Sequence, residues 1–138
     1  MVRTFFDPLT RGSPAKRAGG FTLIELMVVL AIIATLLTIA VPRYYSSLDK
    51  SKEAVLKENL YQLRDAIGKY YADRGKYPES LQALATDKYL RSVPLDPVTD
   101  SATTWVTVPH EDPQKGGVVD VKSGAPGKAI DGSEFSAW

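Results

Sequence analysis

Gly20-Phe21-Thr22-Leu23-Ile24-Glu25 opens an apolar run that continues unbroken to Val41. Among the 21 residues from Phe21 to Val41, Glu25 is the only charged side chain. A helix of that length rises roughly 30 Å, about the thickness of a bilayer's hydrocarbon core. A plain anchor has no use for a carboxylate near the start of its span, where a charge is costly, so Glu25 is a functional residue by expectation. Arg3, Arg11, Lys16 and Arg17 precede the run, against the single anion Asp7. By the positive-inside rule, residues 1–20 lie in the cytoplasm and the remainder outside.

The junction resembles the class III signal of type IV pilins and type II secretion pseudopilins: a basic leader ending in Gly, then Phe-Thr-Leu-Ile-Glu-Leu and an apolar helix. The resemblance implies cleavage between Gly20 and Phe21 by a membrane-embedded prepilin peptidase, which then methylates the new amine of Phe21. It also implies that Thr22, Glu25 and Pro42 serve assembly. Glu25 of one subunit would neutralise the amine of Phe21 on its neighbour, because opposite charges in a low-dielectric bundle attract strongly and each is costly alone. The alternative of an ordinary secretory signal fits less well. The apolar run is long for one, and Pro42-Arg43-Tyr44-Tyr45 follows instead of a small-x-small cleavage site.

The chain has 138 residues and a net charge of +1, with the positive excess confined to the leader. The remainder is mildly acidic, which argues against a general electrostatic grip on nucleic acid. There is no cysteine, which excludes disulfides, thiol catalysis and Cys-rich zinc sites. The lone His110 lies in a loop rich in Pro and acid without partners for a catalytic triad. Neither a phosphate-cradling Gly loop nor a metal-spaced His pair occurs, so no enzyme is expected.

Beyond the span the polarity rises and a helical stripe continues. Leu56, Leu60, Leu63, Ile67 and Tyr70 recur at spacings of 4, 3, 4 and 3, which defines one face, and Leu48 and Val55 extend it upstream. Lys50, Lys52, Lys57, Arg64 and Lys69 alternate with Glu53, Glu58 and Asp65 on the solvated faces. Pro42 removes one backbone donor and loosens the helix locally. Asp73-Arg74-Gly75-Lys76 ends it, with Gly75 as C-cap. A short helix follows from Glu79 to Thr86, then an ordered loop through Pro94 and Pro97. Trp105–Val108 and Val118–Lys122 read as an antiparallel hairpin around a loop at Pro109–Gly117, with Trp105 plugging the core.

Gly75-Lys76-Tyr77-Pro78, the short helix and Val93-Pro94-Leu95-Asp96-Pro97 resemble the major pseudopilin of type II secretion, the G-type subunit. The expected fold is α+β: a long N-terminal helix, transmembrane in its first half, on a small antiparallel sheet. The expected segments are a cleaved leader at 1–20, a membrane and filament-core helix at 21–43, and a periplasmic domain at 44–138. Within that domain, 44–73 is helix, 74–104 loop and short helix, and 105–138 the β region and tail. The resemblance implies a helical homopolymer, with minor pseudopilins, the prepilin peptidase and an inner-membrane assembly platform as partners. It further implies a calcium-binding tail, for which Asp131, Glu134 and Ser133 offer oxygens. Ala125-Pro126-Gly127 stands where the family often has Ala-Asp-Gly, so one acidic ligand is missing. Two other readings are open: a subunit of a surface type IV pilus or DNA-uptake pseudopilus, and a single-pass anchored binding domain.

Overall fold

The structure is a computed structural model that describes residues 12, 14, 15, 17 and 19–138. Most of the expected leader therefore lies outside the described residues. The chain divides into two compact units, one ending at Ile39 and the other spanning Ala40–Trp138. Helix α1, Leu23–Arg74, is 52 residues long and contributes to both.

In the first unit α1 is apolar and its side chains are exposed. Among the described residues, α1 alone is long and apolar enough to cross a membrane, and its apolar window buries nothing inside the protein. Thr35 and Thr38 donate their hydroxyls to the carbonyls of Ala31 and Ala34, each at 2.8 Å. Both polar side chains are thus satisfied within the helix, as a span requires. Pro42 lies inside α1, which remains helical on either side of it.

In the second unit Leu56, Leu60, Leu63, Ile67 and Tyr70 are all buried, joined by Ala66. The stripe does not extend upstream as its period suggested. Leu48 is 39% and Val55 49% exposed, because the core cluster begins at Leu56 and the C-terminal turn meets the preceding turns of α1 on the side of Glu53. The helix closes at Arg74, where Gly75 adopts φ +68° and donates its N–H to the carbonyl of Tyr71 at 2.8 Å. Glycine takes that left-handed conformation without a Cβ penalty.

Helix α2, Leu81–Thr86, starts two residues later than expected because Ser80 is its N-cap, accepting from the N–H of Ala83 at 3.3 Å. Leu81 and Leu84 face the core. Strands β1, Val106–Pro109, and β2, Val118–Lys122, form a two-stranded antiparallel sheet. Its register pairs Val106 with Lys122 and Val108 with Asp120, then slips so that Pro109 meets Val118. Val119 is the extra residue. A bulge resets the alternation of a strand, which is why Val118 and Val121, three apart, both reach the core. Trp105 lies just before β1, buried, with its indole N–H donated to the carbonyl of Pro94 at 2.8 Å. It plugs the core and ties the proline loop to the hairpin. Beyond this sheet the described residues hold only isolated bridges.

Candidate functional site

The first site is the start of α1. Gly20 and Phe21 precede the helix, and a Cβ built on Gly19 or Gly20 would meet nothing. Phe21 and Glu25 line one small hollow with Leu26 and Val29, since residues four apart share a helix face. Thr22 acts as the N-cap: its Oγ1 accepts the N–H of Glu25 at 3.2 Å, and its carbonyl accepts the N–H of Leu26 at 3.2 Å. A Thr followed three residues later by Glu is the sequence pattern of a capping box. Thr22-Leu-Ile-Glu25 carries the signal for this role at a spacing of three. Glu25 also places an anion at the positive end of the helix dipole.

The second site is the C-terminal turn. One oxygen of Asp131, Oδ1, accepts from the N–H of Ser133 at 2.9 Å and from its hydroxyl at 2.6 Å. These bonds, the hydroxyl first, hold the Asp131 carboxyl below its ordinary range, with Lys57 adding a smaller electrostatic effect. The hydroxyl of Ser133 in turn accepts the indole N–H of Trp138 at 2.8 Å. Lys57 on α1 lies 4.5 Å from the centre of the Trp138 ring. Glu53 accepts the N–H of Ile130 at 2.7 Å, which pins the turn to α1 a second time. Glu134 precedes a 3₁₀ turn, Phe135–Ala137, and its side chain makes no capping bond there. Asp120 lies apart from these groups, paired with Arg64 at 2.8 Å. The structure therefore joins Asp131 to Ser133 and gives Glu134 no bond to either.

The mixed charges on α1 are more than a solvated face. Arg64 bridges to Asp120 and also donates to the carbonyl of Val121 at 2.9 Å. Lys69 pairs with Asp65 one turn away at 2.7 Å, which raises its pKa. Asp96 is fully buried, and Ser123 donates its hydroxyl to it at 2.8 Å. Neither Arg64–Asp120 nor Asp96–Ser123 has a local sequence signature, because the partners are 56 and 27 residues apart. The tyrosines pack in small sets. Tyr70 meets Tyr89 at 5.2 Å, and Tyr71 stacks on Tyr77 at 4.4 Å, with His110 against the other side of Tyr77 at 5.3 Å.

The family model for the prokaryotic N-terminal methylation motif matches residues 15–41. The type II secretion system core protein G of Pseudomonas aeruginosa is 32% identical over 98 residues, covering 59% of this chain and 69% of the relative. Its counterpart in Klebsiella michiganensis is 33% identical over 94 residues, covering 56% of this chain and 66% of the relative. The type IV major pilin protein PilA of Myxococcus xanthus is 38% identical over 71 residues, covering 51% of this chain and 31% of the relative. The match spans about two thirds of the length of these core G proteins. No solved structure matches.

An apolar N-terminal helix carrying a methylation motif, followed by a small α+β domain, defines a membrane-anchored, pilin-like subunit. The chain belongs to the type IV pilin-like family, among pseudopilins related to the type II secretion core protein G. The relatives described above are named as pilins and secretion core proteins, not as enzymes.

Proposed function

We propose that this chain is the structural subunit of a type II secretion pseudopilus. The observation that carries the reading is where the similarity extends. Identity to core protein G runs over 98 residues and covers 69% of that protein, whereas the match to the Myxococcus pilin covers 31% of its length. The absence of cysteine also suits a pseudopilin better than the disulfide-closed pilins of the family that the chain resembles. In this reading residues 1–20 are a cytoplasmic leader, the prepilin peptidase cuts after Gly20, and Phe21 is methylated. The domain stands in the periplasm. Subunits leave the membrane through an inner-membrane platform, polymerise with minor pseudopilins, and drive proteins across the outer membrane. The apolar face of α1 serves first in lipid and then in the filament core, where it meets copies of itself.

Deletion of the gene, with the medium, periplasm and surface fibres assayed from one culture, tests this. Loss of specific proteins from the medium and their retention in the periplasm, with fibres normal, supports the secretion role. Unchanged export with lost fibres makes the chain a pilus subunit, the second reading, which the 38% identity to the Myxococcus pilin favours. An anchored domain that never assembles is separated from both by Glu25. Glu25→Gln keeps a side chain suited to the capping position but loses the charge; Glu25→Ala loses both. Pairing with a neighbour's amine requires that both variants stop cross-linkable polymer from forming while membrane insertion persists. Polymer formed by Glu25→Gln would refute the charge pairing.

A further inference from the structure

Calcium takes six to eight oxygens, usually with several carboxylates among them. In the C-terminal turn several of the candidate oxygens already hold protein donors. Asp131 Oδ1 holds two donors from Ser133, and the Ser133 hydroxyl spends its proton on Asp131 and a lone pair on Trp138. Three backbone carbonyls of the turn also accept from protein donors. Gly127 accepts from Phe135 at 3.3 Å, Ala129 from Gly132 at 2.9 Å, and Ser133 from Ala129 at 2.8 Å. Pro126 brings no side-chain oxygen. Among the described residues no three acidic, His or Cys side chains come together. A cation is nevertheless present at the turn, and it belongs to the protein: the Lys57 ammonium over the ring of Trp138. An incoming divalent ion would meet that charge as well as the protein donors it must displace.

We propose that this turn is closed by its own side chains, with the Lys57 ammonium in the role a divalent cation would otherwise fill, and that it folds without metal. The lock runs from α1 through Lys57 to Trp138, from Trp138 to Ser133, and from Ser133 to Asp131. It holds whichever filament the subunit builds, because it concerns the fold of the single chain.

The full chain in detergent micelles tests it, by thermal unfolding in about 5 mM calcium chloride and in about 5 mM EGTA. A site with a Kd of about 0.1 mM would raise the Tm in calcium by several degrees, since only the folded turn would bind. The expected result is the same Tm in both buffers, to within about 2 °C, and a fall of about 4 °C for Asp131→Asn and for Lys57→Met in EGTA as in calcium. A rise of more than about 2 °C for the wild type in calcium overturns the proposal. So does an Asp131→Asn variant that melts with the wild type in EGTA, because a metal ligand matters only when metal is bound. Should Asp131→Asn not fold, the wild-type comparison decides alone.

Discussion

Asp96 offers the sharpest test of how the domain is held together. Its carboxylate is fully buried and, among the described residues, forms no salt bridge. One oxygen accepts from the N–H of Val98 at 2.8 Å and of Thr99 at 3.4 Å, and the other from the hydroxyl of Ser123 at 2.8 Å. Ser123 is itself buried and accepts the N–H of Ala125 at 3.1 Å. The proline loop and the exit from β2 are thus joined through one carboxylate. Hydrogen bonds to a charged group contribute about 1.5–3 kcal/mol each when buried, and an orphaned donor costs about 1–3 kcal/mol. The Ser123 bond takes the full value. The two backbone bonds count for less, since water reaches the half-buried Val98 and Thr99. Relief of the buried charge offsets part of the loss. Asp96→Ala should therefore destabilise the domain by about 3 kcal/mol, or roughly 15 °C in Tm for a unit of about 100 residues.

The assay is denaturant unfolding of the full chain in micelles, read by tryptophan fluorescence in a Trp138→Phe background, which leaves Trp105, whose indole is bonded to Pro94 two residues before Asp96. Ser123→Ala should cost about 2 kcal/mol, because it leaves a carboxylate oxygen and the Ala125 N–H short of a partner. The double variant should cost about 1–2 kcal/mol less than the sum of the two, as expected for residues sharing one bond. Strict additivity, within about 0.5 kcal/mol, would refute the idea that the two side chains act as one tie.

Two glycines should respond in opposite directions. A Cβ on Gly124 would overlap the carbonyl of Thr104, so Gly124→Ala should lower stability by about 2 kcal/mol or more, whereas a Cβ on Gly68 in α1 meets nothing, and Gly68→Ala should raise it by about 0.5–1 kcal/mol. Both are read from urea midpoints. Asp131 should make the tail acid-sensitive. Its folded pKa is lowered, chiefly by the Ser133 hydroxyl, so its contribution is present above the unfolded carboxylate value and is lost as pH falls through the folded one. The gap in Tm between wild type and Asp131→Asn should accordingly narrow on acidification toward pH 2, and a gap that widens would contradict the sign.

The parts of this fold that were legible in the sequence are those written at short range. The span, the stripe from Leu56 to Tyr70, the stop at Gly75 and the hairpin each follow from residues within a few positions of one another. Periodicity names a face, however, and not what covers it. Leu48 and Val55 keep the period of the stripe and remain exposed, because the core cluster starts at Leu56. Exposed apolar residues on that stretch of helix are what a subunit needs if the next surface it meets is another subunit. The bulge at Val119 was hidden for a related reason: alternation cannot reveal one extra residue until the partner strand is known. Arg64–Asp120 and Asp96–Ser123 depend on the chain returning to α1 and to the proline loop, which no local pattern encodes.

Thr22 and Glu25 are the opposite case, since four consecutive residues contain the whole signal. The family resemblance directs attention to Glu25 as the charge for an inter-subunit pair, and that use obscures the local one, in which Thr22 caps α1 at the N–H of Glu25. The proposed pairing and the observed cap fit one spacing because a helix start must satisfy its free N–H groups and favours a nearby anion. A cut just before Phe21 would add the positive amine of a new N-terminus at the same end. A single first turn would then present the cap, the carboxylate and the amine together, with Glu25 balancing its own helix dipole in the isolated subunit and a neighbour's amine in the polymer.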